Sequence, residues 1–325
     1  MPNAIRFHAH GGPEVLRLEG VTVGAPGPGE ARVRHTAIGL NFIDTYHRTG
    51  LYAVDGLPSG IGMEAAGVIE ALGDGVTDLA VGQRVAYASG PLGAYAEVRV
   101  IRADRLVPIP DGVSDEVAAA ALLKGMTVEY LVRRTYPVKR GETVLWHAAA
   151  GGVGLLAMQW LAHLGATVIG TASTDDKAAL ARAHGADHVI VYTREDFVAR
   201  VRELTGGAGV PVVYDSVGKT TFRGSLACLR PRGLYVGFGN ASGKPEPFDV
   251  TELARLGSLY MTRPTLMTYT ASRAELLASA RALFDVIASG AVDVEVRQRF
   301  ALADAAEAHR ALEARETMGS SVLVP

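Results

Sequence analysis

Cysteine is almost missing from this chain: Cys228 stands alone among 325 residues. That excludes an internal disulfide and any zinc site built from a cysteine cluster. Net charge is also missing, since 32 basic and 34 acidic residues leave −2 with no long run of one sign. A surface that binds nucleic acid by neutralising phosphates is not expected on that balance. Long hydrophobic runs are absent, and the longest candidates, such as Val117–Leu123, have the length of a core helix. The N-terminal stretch MPNAIRFHAHGG lacks the apolar region of a secretory signal, so the expectation is a cytoplasmic protein without a membrane partner. Apolar residues are 48% and charged residues 20%. These lie near the roughly 45–50% and 25% of globular proteins and exclude a disordered or fibrous chain.

Glycine is in excess: 38 residues, about 12% against an average near 7%. Tight turns and close backbone approaches are the uses of such an excess. The length predicts roughly two domains, large enough to fold without a disulfide or metal. Up to residue 110 the chain reads as short strands, at Ala31–Ile38, Gly67–Leu72, Arg84–Ala88, Ala94–Ile101 and Leu106–Ile109. Turn signals such as Gly11-Gly12-Pro13 and Asp111-Gly112 punctuate them, which predicts an antiparallel barrel or sandwich. Ser114 then offers an N-cap ahead of Asp115 and Glu116, and a second helix is expected from about Thr127 to Arg134.

From Glu142 the texture alternates. Strands are expected at Thr143–His147, Thr167–Gly170, His188–Tyr192, Val212–Asp215, Leu234–Phe238 and Ser258–Thr262, with helices at Gly152–Leu164 and Asp175–His184. Such alternation buries a parallel sheet between helical layers. The tail predicts a helix over about Arg273–Ser289, a strand at Val294–Phe300, a helix at Ala303–Ala314 and a last strand at Ser321–Val324. Its mixed texture assigns it back to the first domain.

The most informative motif is Ala148-Ala149-Ala150-Gly151-Gly152-Val153-Gly154, which follows a strand and opens a helix. That is the context a dinucleotide fingerprint requires: small residues admit a pyrophosphate, and free N–H groups at the helix start receive its charge.

The wider pattern Gly141-Glu142-x-x-Leu145-x-x-x-Ala149-Ala150-Gly151-Gly152-x-Gly154-x-x-x-x-Gln159 resembles the signature of the zeta-crystallin-like quinone oxidoreductases, within the medium-chain dehydrogenase/reductase superfamily. The resemblance extends to His10-Gly11-Gly12-Pro13-Glu14-Val15-Leu16, Asn41-Phe42-Ile43-Asp44, Lys124-Gly125-Met126-Thr127, Asp215-Ser216-Val217-Gly218 and Gly319-Ser320-Ser321. It is strongest toward the bacterial quinone oxidoreductases. It implies an α/β fold: a GroES-like, mostly-β catalytic domain over 1–125, completed by 266–325, plus a doubly wound parallel-sheet Rossmann domain over 126–265 that binds NADPH.

No metal is expected. Zinc-dependent members of the superfamily present a cysteine near the end of the strand before Asn41 and a Gly-His-Glu triplet further on. Here those places read Gly39-Leu40-Asn41 and Gly62-Met63-Glu64. Asn and Met are poor zinc ligands beside thiolate and imidazole. The nine histidines show no paired spacing and are read as surface or capping residues.

Cofactor choice turns on the end of the second Rossmann strand. Asp175 lies 21 residues past Gly154, where a simple count places the acid that selects NAD. By resemblance to alcohol dehydrogenases, however, that place belongs to Ser173, and Asp175 and Asp176 fall in the first helical turn behind Thr174, where acids suit the macrodipole. Ser173 and Lys177 then remain to hold a 2′-phosphate. Tyr192 and Arg315 match positions the family uses around it. NADPH is the expected cofactor, and the resemblance carries Ala150, Gly151, Gly152, Val153, Gly154, Ser216, Phe238 and Gly239 into its site. Thr127 is expected at the nicotinamide amide.

The chemistry implied needs little acid–base machinery, only positioning and a dry slot for a planar acceptor. Asn41 is expected beside the nicotinamide, where it would hydrogen-bond the acceptor carbonyl, or else it closes the turn after Leu40. Tyr46 and Tyr52 would line the slot by stacking or donate from their hydroxyls. Lys124 reads equally as a cleft residue or a surface lysine. The reading is an NADPH:quinone reductase acting on a quinone or another planar carbonyl acceptor. An NADPH-dependent enal or enone reductase is the alternative enzyme, and a non-enzymatic NADPH-binding protein is the alternative of another class. A homodimer is expected through the uncharged edge strand 258–262.

Overall fold

The computed structural model describes residues 1–325 and resolves into two compact units. The first holds Met1–Met126, Tyr269–Ala288 and Val294–Pro325, and the second holds Thr127–Thr268 and Ser289–Asp293. The boundaries thus fall one to three residues from those read in the sequence, and 289–293 belongs to the second unit rather than to the tail. No helix is long and apolar enough to cross a membrane.

In the first unit the strand Glu30–Leu40 organises everything else. Its buried residues alternate from Ala31 to Ala37 and then run unbroken through Leu40, so one face is covered first and both faces later. It pairs antiparallel with Ala65–Leu72, with Val98–Arg102 and with the C-terminal strand Ser320–Val324, where Val322 meets Gly39. The chain terminus therefore completes the sheet that carries Asn41. A smaller sheet orders Arg17–Gly20, Asn3–Phe7 and Ser59–Gly60. Phe7, Val33, Ile38, Ile69, Tyr87, Tyr95 and Leu323 are among the core that fills the unit.

Three expectations are corrected here. The two helices expected over 114–134 are one, Asp115–Tyr130, closed by a π-helical turn at Leu131–Thr135. Gly125 does not break it: a Cβ there would lie 2.3 Å from Leu283 Cδ1, so the glycine admits the helix Arg273–Ala288 against its flank. The strand expected over Ala94–Ile101 is ordered only as Val98–Arg102, because Tyr95 bonds out of register to Ile5 and Ile61. The helix Phe42–Arg48 was not foreseen, since it is short and carries no apolar period.

The second unit has six parallel strands in the order His188–Val191, Thr167–Ala172, Thr143–Trp146, Val210–Asp215, Leu229–Gly237, Tyr260–Thr262. The helices Phe197–Leu204 and Phe222–Cys228, also unforeseen, complete the crossovers. The chain reverses direction of travel across the sheet at Thr143–Trp146, whose Val144, Leu145 and Trp146 are fully buried. In such sheets ligands bind beyond the carboxyl ends of the strands at that switch point.

Candidate active site

The fingerprint lies at that switch point. Gly151 caps the helix Gly152–Leu164 in an extended conformation, leaving the N–H groups of its first turn without intrahelical acceptors. A Cβ on Gly154 would sit 2.4 Å from Ala148 O and 2.5 Å from Ala149 O, so only glycine lets helix and strand approach this closely. Ala148 adopts φ 56, a left-handed conformation that a Cβ disfavours. Its backbone is held by neighbours: Gly151 N–H donates to Ala148 O at 3.1 Å, and Ala149 N–H to Thr171 O at 3.0 Å. Ala150, Gly151, Gly152, Val153 and Gly154 therefore form one small-residue cradle that fits a pyrophosphate.

Beneath the cradle lies a buried network that the sequence did not suggest. His147 contacts Thr171 Oγ1 and Ser225 Oγ, each at 3.0 Å, and Ser225 Oγ donates to Asp215 Oδ2 at 3.0 Å. Burial pulls the His147 imidazole below its ordinary pKa, so the neutral ring is favoured. Asp215 also accepts from the N–H groups of Val217 and Gly218, from Thr221 Oγ1 and from the Tyr235 hydroxyl. These bonds fix the loop that carries Ser216. Phe238 N–H donates to Asp215 O at 2.8 Å, and a Cβ on Gly239 would lie 2.4 Å from Ser216 O, so Ser216, Phe238 and Gly239 share one strand end.

At the carboxyl end of Thr167–Ala172 the structure gathers Ser173, Lys177 and Tyr192. Thr174 is the N-cap, its Oγ1 accepting from Lys177 N–H at 3.3 Å. Thr193 Oγ1 donates to Ser173 O, and Tyr192 N–H to Ala172 O. Asp175 is occupied by a bidentate ion pair with Arg194, whose Nη1 lies 2.6 Å from Oδ2. Sequence reasoning missed Arg194; its spacing from Asp175 signals nothing until two strands are paired in register. Arg315 belongs to the first unit, just past the helix Ala305–Glu313, at φ 61.

In the first unit Asn41 both caps a helix and makes a second contact. It begins Phe42–Arg48, with its N–H donating to Asp44 Oδ2 at 2.9 Å, while its Nδ2 donates to Glu64 Oε2 at 2.7 Å. Glu64 is fully buried; its Oε1 accepts from Leu123 N–H at 2.6 Å, and Lys124 Nζ lies 3.5 Å from Oε2. Lys124 is thus a buried residue, and its surface reading is overturned. Gly39 makes room for this cluster, since a Cβ there would lie 2.3 Å from both Glu64 Oε2 and Ala119 O. Burial pushes Glu64 above the usual carboxylate range, against the opposing Lys124 charge and the hydrogen bonds of Asn41 and Leu123. Burial likewise pushes Asp44 up to about 7.

Asp44 is the inner end of a polar chain. Tyr95 OH donates to Asp44 Oδ2 at 2.9 Å and lies 3.2 Å from His309 Nε2; Arg48 Nη1 lies 2.9 Å from His309 Nδ1 and Arg48 Nη2 donates to Glu313 Oε1. Because a guanidinium only donates, Nδ1 is the accepting nitrogen and Nε2 carries the proton. Burial, aided by the Arg48 charge, lowers His309 to about 3. His35, His47, His147 and His309 are all buried, which corrects their reading as surface or capping residues. Tyr46 is buried and packs edge-on against the half-buried Tyr52 at 5.1 Å, with Phe42 and His47 beside them. Thr127 is buried on the helix Asp115–Tyr130.

The donor set does not fit zinc. Gly39, Asn41 and Met63 replace the soft ligands, Glu64 is already engaged on both oxygens, and no group of three His, Cys, Asp or Glu side chains assembles anywhere.

Residues 27–111 match the family model described as an alcohol dehydrogenase GroES-like domain, and residues 152–281 match the one described as zinc-binding dehydrogenase. A quinone oxidoreductase of Pseudomonas aeruginosa is 55% identical over the whole of both chains. A 2-haloacrylate reductase of Burkholderia is 48% identical, covering 100% of this chain and 99% of its own. The crystal structure of Escherichia coli quinone oxidoreductase complexed with NADPH superposes with a TM-score of 0.98 at 50% identity, over 99% of this chain and 100% of that one. With that identity sustained from end to end, the chain belongs to the zeta-crystallin-like quinone oxidoreductase family of medium-chain dehydrogenases/reductases.

Proposed function

We propose that this protein is an NADPH:quinone oxidoreductase that works in the cytoplasm without metal. The observation that carries the reading is the cradle at Gly151–Gly154 in a chain similar over its full length to an enzyme solved with NADPH. The cofactor supplies hydride; the chain's residues bind, orient and exclude water. Ala150 to Gly154 would hold the pyrophosphate, and Ser216, Phe238 and Gly239 would line the adjoining strand end. Ser173, Lys177, Tyr192 and Arg315 would take the 2′-phosphate, a reading favoured by the pairing of Asp175 with Arg194, which occupies the acid that a simple count assigns to the ribose hydroxyls. Asn41 and Thr127 would flank the nicotinamide, and Tyr46 and Tyr52 would bound the acceptor slot.

The test is NADPH oxidation with 1,4-benzoquinone, 9,10-phenanthrenequinone and 2-hexenal. Turnover with the quinones supports the reading. Turnover with the enal alone supports the enone-reductase alternative, which the 2-haloacrylate reductase relative favours. NADPH binding with neither activity points to the non-enzymatic reading. Lys177→Ala should raise the NADPH dissociation constant about tenfold, one charge-assisted contact, and spare NADH. Equal losses for both cofactors would remove Lys177 from the phosphate site.

We also propose a homodimer through the edge strand. Tyr260 is 63% exposed and Met261 43%, with no charge or proline in Tyr260–Thr262 to block pairing. A light-scattering mass of one chain, 34.1 kDa, at micromolar concentration would exclude it.

A further inference from the structure

Lys124 is the one buried cation whose hydrogen-bonding capacity the fold leaves largely unused. Its side chain is 6% exposed, and Nζ has no hydrogen-bond partner. Glu64 faces it only at a long 3.5 Å, while its Oε1 accepts from Leu123 N–H at 2.6 Å and its Oε2 from Asn41 Nδ2 at 2.7 Å. At that distance the carboxylate neutralises the ammonium but meets at most one of its N–H bonds, and that one poorly. An ammonium is all donor, with three N–H bonds and no acceptor. Burying one with those bonds unmet is costly, and the cost is recovered when a ligand brings the acceptor. Asn41 shares the same Glu64 oxygen, so the unmet donor and the residue assigned to the acceptor carbonyl lie at one carboxylate.

We propose that Lys124 is the proton donor of the reaction and that Glu64 is its positioning residue. The proposal rests on the quinone-reductase reading. Reduction of a quinone takes two electrons and two hydrogens, and hydride from the reduced nicotinamide supplies both electrons but only one hydrogen. Negative charge then collects on an acceptor oxygen. A Lys124 N–H bond breaks as an O–H bond forms there, yielding neutral hydroquinone and a neutral Lys124 amine. The amine recovers its proton from water once the product has left. Glu64, held by Leu123 N–H and Asn41, keeps the ammonium aimed at that oxygen throughout. Asp44 is the other buried carboxyl whose charge acts on this group.

The experiment uses Lys124→Ala, together with the charge-neutral pair Lys124→Met/Glu64→Gln, which removes the ammonium without stranding a carboxylate. Quinone turnover should fall roughly 100-fold or more in both, the size of a general-acid contribution, with the NADPH dissociation constant unchanged. Added methylammonium should restore turnover in Lys124→Ala in proportion to its concentration and do nothing for wild type, a response that a packing role would not produce. A second readout needs no cofactor. 4-Nitrophenol bound to the wild-type protein should show more of its visible phenolate band than when bound to the neutral pair. Unchanged turnover in the folded neutral pair, or absence of both amine rescue and the phenolate difference, overturns the proposal while leaving the quinone-reductase reading intact. A wild type inactive with every quinone overturns that reading instead, and the nitrophenol spectrum still decides whether Lys124 faces the ligand.

Discussion

The two units each bury a carboxylate network, and the networks are finished to different degrees. Asp215, in the second unit, accepts from two backbone N–H groups, two hydroxyls of Thr221 and Ser225, and the Tyr235 phenol. Every lone pair has work, and the product is a rigid loop under the cradle. Asp44, in the first unit, uses Oδ2 for Asn41 N–H and Tyr95 OH but leaves Oδ1 buried with no partner. Native structures satisfy nearly all buried polar atoms, so an exception points to something other than scaffolding. Lys124 Nζ is a second exception in the same unit. Satisfied burial builds a holder in the second unit, whereas the first leaves Asp44 Oδ1, His47 Nδ1, Ser89 Oγ and Lys124 Nζ buried without partners.

The sharpest break of that contrast is Asp215→Ala. It strands the donors that converge on one carboxylate, and stability should fall by about 3–5 kcal/mol, as when one partner is removed from a buried charged network. The urea midpoint should drop at unchanged slope. A loss below about 1 kcal/mol, the size of one ordinary hydrogen bond, would mean the network is not structural.

Asp44 should answer differently. Its carboxyl is pushed up to about 7 in the fold by burial, against about 3.9 unfolded. Between those values the folded state holds the extra proton, so stability is greatest in acid and is lost as pH rises from about 4 through about 7. The slope has a ceiling of about 1.4 kcal/mol per pH unit. Asp44→Asn should flatten this limb and raise stability above neutrality. Urea midpoints taken in acid and in weak base check it, and an unchanged slope would assign the titration elsewhere.

The same contrast explains how much could be read in advance. The second unit was legible because its signals are local: a buried strand, a glycine-rich turn and an apolar helix follow one another within about twenty residues, the span of the fingerprint. The Thr174 cap was legible for the same reason. The cluster around Glu64 was not. Asn41, Glu64 and Lys124 meet only after Glu30–Leu40 and Ala65–Leu72 pair and the helix Asp115–Tyr130 packs on them, and no periodicity encodes that meeting. Lys124 read equally as a cleft or a surface residue because lysines are almost never fully buried unless paired, and its pairing partner is 60 residues away. The helix Asp115–Tyr130 runs through Gly125 although glycine weakens helix interiors; contact with Leu283 overrides that preference.

The smallest expected effect lies in the cradle itself. Ala148 holds φ 56, a conformation that costs an L-residue roughly 1–2 kcal/mol. Replacing it by glycine removes that strain but adds about 0.5–1 kcal/mol of chain entropy to be lost on folding. The two nearly cancel, and Ala148→Gly should stabilise the protein by about 0.5 kcal/mol, seen as a small rise in Tm. Cofactor binding separates the two contributions. If Ala148 is strained only to let Gly151 and Gly154 close on its carbonyl, glycine reaches the same turn and NADPH affinity holds. If the alanine serves by keeping the turn rigid before the pyrophosphate arrives, affinity falls even though Tm rises. A fall in both would place the Ala148 methyl among the packing contacts of the turn and overturn the strain argument.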